Sequence, residues 1–259
     1  MMSKTALLGY SGYVGSTLLQ QASFDDLYNS KNIDTISGKS YELIVCAAAP
    51  AVKWKANQEP EADLANLKAL MERLKTVNAQ KFILISTVDV YQKPIEVSEK
   101  TLIIPEETDP YGRHRFYLEQ FVQDHFNDVL IVRLPGLFGE GLKKNFIYDL
   151  IYNNRFDLTH KDSRFQFYNM KNLWHDLQLA QQEQLKIVNF ATYPVSASEI
   201  AEHALGIEFS NVTEKAAVSY NMLSEHAEKF GGSNGYFKTK EQILEEISRF
   251  IQQQKSEKQ

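Results

Sequence analysis

The chain has 259 residues, 43% of them apolar, which is enough to bury the core of one large domain or of a domain with a small lobe and excludes wholesale disorder. A formal charge of −5, with acids and bases mixed along the chain, offers no field that would gather nucleic acid or anionic lipid. Cys46 is the only cysteine, so there is no intrachain disulfide framework or cysteine metal cluster, and no metal is expected. A reducing, cytoplasmic location is the default expectation, because the opening run Thr5-Ala6-Leu7-Leu8 is too short for a signal segment or a membrane span.

Short apolar runs alternate with longer helical patterns from the start, the mark of βαβ units and an α/β fold. Thr5 to Gly9 predicts a first strand, Tyr13 to Gln21 a helix, Asp26 to Ser30 a second strand and Tyr41 to Ala48 a third, with Leu43-Ile44-Val45-Cys46 buried on both faces. Leu64, Leu67, Leu70, Met71 and Leu74 recur at three- and four-residue intervals and predict an amphipathic helix over 61–77. A fourth strand spans Lys81 to Ser86. A loop holding Pro94, Pro105 and Pro110 leads to a helix from Tyr111, and Val129 to Arg133 is a fifth strand stopped by Pro135-Gly136.

Beyond that point the pattern loosens into helices over 146–152, 172–182, 197–205 and 240–253 and a strand over 187–190, and the last eight residues should fray. The expected architecture is a Rossmann-type doubly wound parallel sheet with a small C-terminal substrate lobe. Residues 1–136 form the dinucleotide-binding domain, with a returning strand near 187–194; residues 137–186 and 195–259 form the lobe.

Gly9, Gly12 and Gly15 fall at i, i+3 and i+6 in the first strand-to-helix turn, and with Ser11, Tyr13 and Val14 they make the candidate phosphate loop. Missing side chains let a backbone turn tightly and approach a pyrophosphate at a helix N-terminus. A bare connecting turn is the alternative. Tyr111 and Arg115 stand four apart at the start of a helix and share one face, where the cation can favour the phenolate. His114 falls on another face, so a surface histidine is expected.

The G-x-x-G-x-x-G spacing, Cys46-Ala47-Ala48, Ser86-Thr87-Val88-Asp89-Val90-Tyr91, Tyr111-Gly112-Arg113-His114-Arg115, Arg133-Leu134-Pro135-Gly136-Leu137-Phe138-Gly139 and Tyr193-Pro194-Val195-Ser196 together resemble the extended short-chain dehydrogenase/reductase superfamily, its NAD-dependent epimerase/dehydratase branch. The resemblance implies a nicotinamide dinucleotide on the glycine loop, flanked by Ala47, Ala48, Ser86, Leu134 and Pro135. It gives Tyr111 the acid/base role, Thr87 the positioning of the substrate oxygen, and Arg115 the place of a lysine that tunes the tyrosine and holds the nicotinamide ribose. Arginine is a departure of different shape and reach.

The second strand ends Asn29-Ser30-Lys31-Asn32, a cation among hydrogen-bonding side chains that favours NADP over NAD; Asp34 would be the missing carboxylate if the strand ended later, and a plain polar turn is the other reading. Val88-Asp89 replaces the Asp-Glu pair of the dehydratases, leaving epimerase or keto-sugar reductase chemistry on a sugar, nucleotide-linked in most of that branch. Trp54, Asp89, Lys144, Asn145 and Arg164 are the candidate substrate residues, with packing or a solvated helix start as the alternatives for Trp54 and for Lys144 and Asn145. The family's paired helices leave room for a homodimer through 61–77 and 111–126. The rival reading is a catalytically weak NADP-binding sensor or scaffold, kept after the Tyr-Lys pair was lost.

Overall fold

A computed structural model describes residues 4–257. In chain order its elements are β1 Thr5–Leu8, α1 Tyr13–Gln21, β2 Asp26–Tyr28, β3 Ser40–Cys46, α2 Lys53–Gln58, α3 Pro60–Leu74, β4 Asn78–Thr87, β5 Ile95–Val97, α4 Pro110–His125 and β6 Val129–Leu134. They continue with β7 Gly136–Phe138, α5 Phe146–Tyr152, β8 Arg164–Phe165, β9 Phe167–Asn169, α6 Leu173–Gln182, β10 Ile187–Asn189, β11 Val195–Ser196, α7 Ala197–Leu205, β12 Asn221–Met222 and α8 Lys240–Ser256.

Two compact units result. The first holds the chain up to Gln92, Thr101–Leu134 and Leu173–Val188; the second holds Lys93–Lys100, Pro135–Asn172 and the chain from Asn189 onward.

The first unit is built on a six-stranded sheet in the order β10-β6-β4-β3-β1-β2, and the pairs β2–β1, β1–β3, β3–β4 and β4–β6 are parallel. The apolar runs read from the sequence are its strands, so Leu8, Ile44, Phe82 and Ile131 are all but fully buried under the covering helices. Helix α3 meets them with Leu67, Leu70 and Leu74, and Pro60 starts it at a position where a missing N–H costs nothing. The order of strands reverses between β1 and β3, the switch point at which open α/β sheets take their ligands.

The second unit has its own core, in which Phe138, Ile147, Leu150, Ile200, Ile247 and Ile251 pack together. Its two longest helices each begin with a capping box, Ser196 with Glu199 for α7 and Thr239 with Gln242 for α8. Three two-stranded pairs complete it: β11 with β8, β12 with β5 and β7 with β9. Strand β5 comes from the proline-containing loop expected to be irregular.

Other differences are local. The second strand stops at Tyr28, two residues before the expected Ser30, because Asn29 to Asn32 close a side-chain-bonded turn. Helix α8 runs to Ser256 instead of fraying from Gln252, held by Gln252 Nε2 donating to Ser248 Oγ and Gln253 Nε2 to Glu257 Oε1. Among the described residues no helix is long and apolar enough to cross a membrane, and no group of three or more His, Cys, Asp or Glu could hold a metal.

Candidate cofactor and catalytic site

The glycine loop leaves β1 at the switch point. Gly9 has φ +82°, and its N–H donates to the Tyr28 carbonyl at 2.7 Å. A Cβ there would lie 2.3 Å from the Ala47 carbonyl oxygen, and one on Gly15 would lie 2.1 Å from that of Gly9. Both glycines are required by backbone meeting backbone. Gly12 differs: its Cβ would meet only the Gly9 oxygen at 3.4 Å, so this side of the loop faces open space.

Gly12 is also the N-cap of α1, no side chain caps that helix, and its first turn holds no acid. The N-terminal end of α1 therefore keeps its positive polarity toward the open side, as a pyrophosphate requires. Ser11 is exposed, and Tyr13 and Val14 are partly buried. Ala47 and Ala48 follow the end of β3, with the Ala47 N–H bonded to the Leu8 carbonyl at 2.8 Å. The residues present fit a dinucleotide. Cys46 is fully buried and its thiol is pushed up to about 11 by that burial, so it plays no nucleophilic part.

At the end of β2 the four candidates divide. Asn32 Oδ1 accepts from Asn29 N–H at 2.8 Å, Asn29 Oδ1 accepts from Lys31 N–H at 2.9 Å, and the Asn32 amide donates to the Leu27 carbonyl. The two asparagines shape the turn, whereas Ser30 and Lys31 project from it exposed. Asp34 lies beyond, on a one-turn 3-10 helix, and is ion-paired with Arg73.

Thr87 ends β4, in register with Leu134 at the end of β6. Its hydroxyl donates to Asp89 Oδ2 at 3.3 Å and accepts from the Asp89 N–H at 3.2 Å, and it helps draw the Tyr111 phenol down. Tyr111 is the second residue of α4, only 8% exposed. A Cβ on Gly112 would sit 1.8 Å from the Asp89 carbonyl oxygen, so glycine is what lets α4 press against the turn after β4 and bring Tyr111 to Thr87. Burial raises the Tyr111 phenol above its ordinary value; Arg115 and, less strongly, Lys53 and the Thr87 hydroxyl pull it back, while Asp89 adds to the rise.

Arg115 lies under the Tyr111 ring, 4.0 Å from its centroid, and is 3% exposed. Its guanidinium is taken up by Asp63 Oδ2 at 2.5 Å and by the Pro50 carbonyl, and its Nε is buried without a hydrogen-bond partner. His114 is not on the surface: it is 3% exposed, with Nδ1 2.8 Å from the same Asp63 oxygen. It is not on another face either: it shares with Arg115 the side of α4 that meets α3, where both reach Asp63.

Ser86 is buried too, with its hydroxyl given to the Glu119 carboxylate. Trp54 is 65% exposed on α2. Leu134 and Pro135 are buried where β6 ends. On the second unit, Asn145 caps α5 through Tyr148 N–H and bonds the Leu137 carbonyl, while Lys144 and Arg164 are exposed.

Sequence reasoning missed Lys53. It opens α2, a six-residue helix with almost no apolar periodicity, and its ammonium stands 2.7 Å from Asp89 Oδ1 and 3.3 Å from Asp109 Oδ2.

No curated protein matches the sequence. Among solved structures the fold is shared with MoeE5 in complex with UDP-glucose and NAD, at TM-score 0.75 and 15% identity over 99% of this chain and 100% of that one. It is shared with RMD from Pseudomonas aeruginosa complexed with NADPH, at TM-score 0.74 and 17% identity over 98% and 100%. A UDP-glucose 4-epimerase from Thermotoga maritima with UDP-glucose has TM-score 0.70 and 14% identity over 96% and 97%. The model of the NAD dependent epimerase/dehydratase family matches residues 22–155, more than half of the chain and including Thr87, Tyr111 and Arg115. The chain therefore belongs to that family, whose members are extended short-chain dehydrogenase/reductase enzymes.

Proposed function

We propose that the protein is an NADP-preferring oxidoreductase or epimerase that transfers hydride at a carbon of a sugar, nucleotide-linked, with Tyr111 as acid/base. The observation that carries this reading is the Thr87–Tyr111 hydroxyl pair, held in the same unit as an uncapped, glycine-lined helix start. The loop from Gly9 to Gly15 would hold the bridging phosphates, Ala47 and Ala48 would flank the dinucleotide, and Ser30 and Lys31 would meet a 2′-phosphate. A reduced nicotinamide, when bound, supplies a hydride to a carbonyl carbon.

Thr87 orients the substrate oxygen and Tyr111 gives it a proton, which requires Tyr111 to hold that proton at rest. Its burial favours the protonated phenol, the form that can give a proton to a substrate oxygen. The second unit is the substrate lobe in this reading, with Lys144 and Arg164 as cations suited to a diphosphate. Asp89 and Trp54 border the sugar. The names of the similar structures, which bind NAD, NADPH and UDP-sugars, support the class of ligand.

A second reading, a cofactor-binding scaffold with little turnover, draws on the capture of Arg115 by Asp63. Thermal unfolding with NADPH and NADH, followed by NADPH oxidation across a panel of keto-sugars and their nucleotide conjugates, separates the two. A strong NADPH shift with turnover supports the enzyme. A shift with no turnover on any member supports the scaffold, and no shift with either dinucleotide ends both. Lys31→Glu should reduce the preference for NADPH over NADH by roughly ten- to a hundredfold, the worth of one charge-assisted phosphate contact. An unchanged ratio of the two dissociation constants would remove Lys31 from the site.

A further inference from the structure

Helix α2 brings to the site a cation that no family motif marks. Lys53 Nζ lies 2.7 Å from Asp89 Oδ1 and 3.3 Å from Asp109 Oδ2. One carboxylate is bonded to Thr87 itself and the other to the helix turn that carries Tyr111. Asp89 Oδ2 accepts from the Thr87 hydroxyl at 3.3 Å, and Asp109 Oδ1 accepts from Gly112 N–H at 2.9 Å, capping the helix turn that carries Tyr111.

Asn57, one turn along α2, fixes the same arrangement from the other side. Its Nδ2 donates to Asp109 Oδ2 at 3.2 Å and its Oδ1 accepts from the Tyr111 N–H at 2.9 Å. One short helix is thus tied to the turn bearing Thr87 and to the turn bearing Tyr111. Arg115 has the opposite character: its charge sits against the face of the Tyr111 ring, answered by Asp63 and closed off from solvent, whereas the Lys53 side chain is 41% exposed.

We propose that Lys53, held by Asp89 and Asp109, is the cation that serves the Tyr111 hydroxyl, doing from a separate helix what the family assigns to the lysine four residues after the tyrosine. Arg115, buried under the ring, is a second and fixed cation that also draws the phenol down. Lys53 acts through Tyr111 and is a positioning residue. When the Tyr111 O–H bond breaks and its proton forms a new O–H bond on the substrate oxygen, the phenolate left behind is stabilised by the ammonium. The charges facing Tyr111 are Arg115, Asp89 and Lys53, with the Thr87 hydroxyl; Lys53 is the partly exposed cation among them.

The inference rests on Tyr111 being the acid/base, so its test reads the phenol directly in the dinucleotide-free full chain. With 3-fluorotyrosine at every tyrosine, the phenols titrate at lower pH, within the range where the fold survives. The 19F signal absent from Tyr111→Phe identifies Tyr111. Lys53→Met should raise its midpoint by roughly half to one pH unit, a three- to tenfold weaker acid, with the lower figure reflecting solvent screening of a partly exposed charge. Lys53→Arg should restore most of the difference.

An unmoved midpoint in Lys53→Met, in a variant whose thermal unfolding matches the native chain, overturns the proposal. So does a rise of that size in Arg115→Met with none in Lys53→Met. Failure of NADPH to shift the native chain's unfolding would instead strike the dinucleotide reading and leave the fluorotyrosine result intact.

Discussion

Glu119→Ala should lower stability by about 3–5 kcal/mol, read as a shift of the urea midpoint at unchanged slope. Glu119 is wholly buried and Arg133 is 3% exposed, and they meet side-on: Arg133 Nε lies 3.1 Å from Oε1 and Nη2 2.6 Å from Oε2. Ser86 donates to the same carboxylate, and Arg133 Nη1 donates to the Tyr91 hydroxyl at 2.7 Å. Alanine would leave a guanidinium that cannot shed its proton in a site closed to water.

The cost therefore belongs to the orphaned charge more than to the lost attraction. Removing both partners tests this: Glu119→Leu with Arg133→Met should fall within about 1–2 kcal/mol of native, because a filled apolar site replaces a paired one. A Glu119→Ala loss below about 1 kcal/mol would mean that water reaches the pair. The network joins β4, α4 and β6, which end in or carry Thr87, Tyr111 and Leu134, so its integrity is also the integrity of the edge that carries the candidate site.

Ser86 shows where motif reading and structure part. In the sequence it adjoins Thr87 and shares its motif, but neighbours along a strand point to opposite faces, and Ser86 falls on the side of Glu119. The glycine loop was legible because its residues answer to backbone geometry: Gly9 and Gly15 have no room for a Cβ, and that requirement writes itself into the sequence. β1, β3 and β4 were legible because their runs Ala6–Leu8, Ile44–Cys46 and Phe82–Ile85 are apolar and buried.

Helix α2 had no such signature. Lys53–Gln58 buries only Ala56 and leaves Trp54 in solvent, so neither periodicity nor hydrophobicity announces it, and its place is set by Asn57, Asp89 and Asp109. Arg115 was readable as to helix face but not as to neighbour, and His114 in neither respect: both reach one Asp63 oxygen that only the packing of α3 supplies. In the second unit, strands of two or three residues are too short to show a period of two.

Tyr111→Phe should reduce turnover by about a hundredfold to ten-thousandfold, the span of a single positioned proton donor, while leaving the dissociation constant for NADPH within about twofold. The substitution suits the site. Phenylalanine keeps the ring on which Arg115 lies, and the backbone bond from residue 111 to Asn57 is untouched, so the α4 turn has no reason to move. Only the hydroxyl leaves, and with it the group on which Thr87 acts.

Thr87→Val makes the companion measurement. In the proposed mechanism it removes the group that orients the substrate oxygen but leaves the donor in place, so a smaller loss is expected, with the phenol titrating at higher pH because Thr87 no longer draws it down. If Tyr111→Phe kept more than about a tenth of native turnover, the proton would have to come from elsewhere. Asp89 and Lys53, already joined to the Thr87 hydroxyl through one carboxylate, would then be the groups to substitute next.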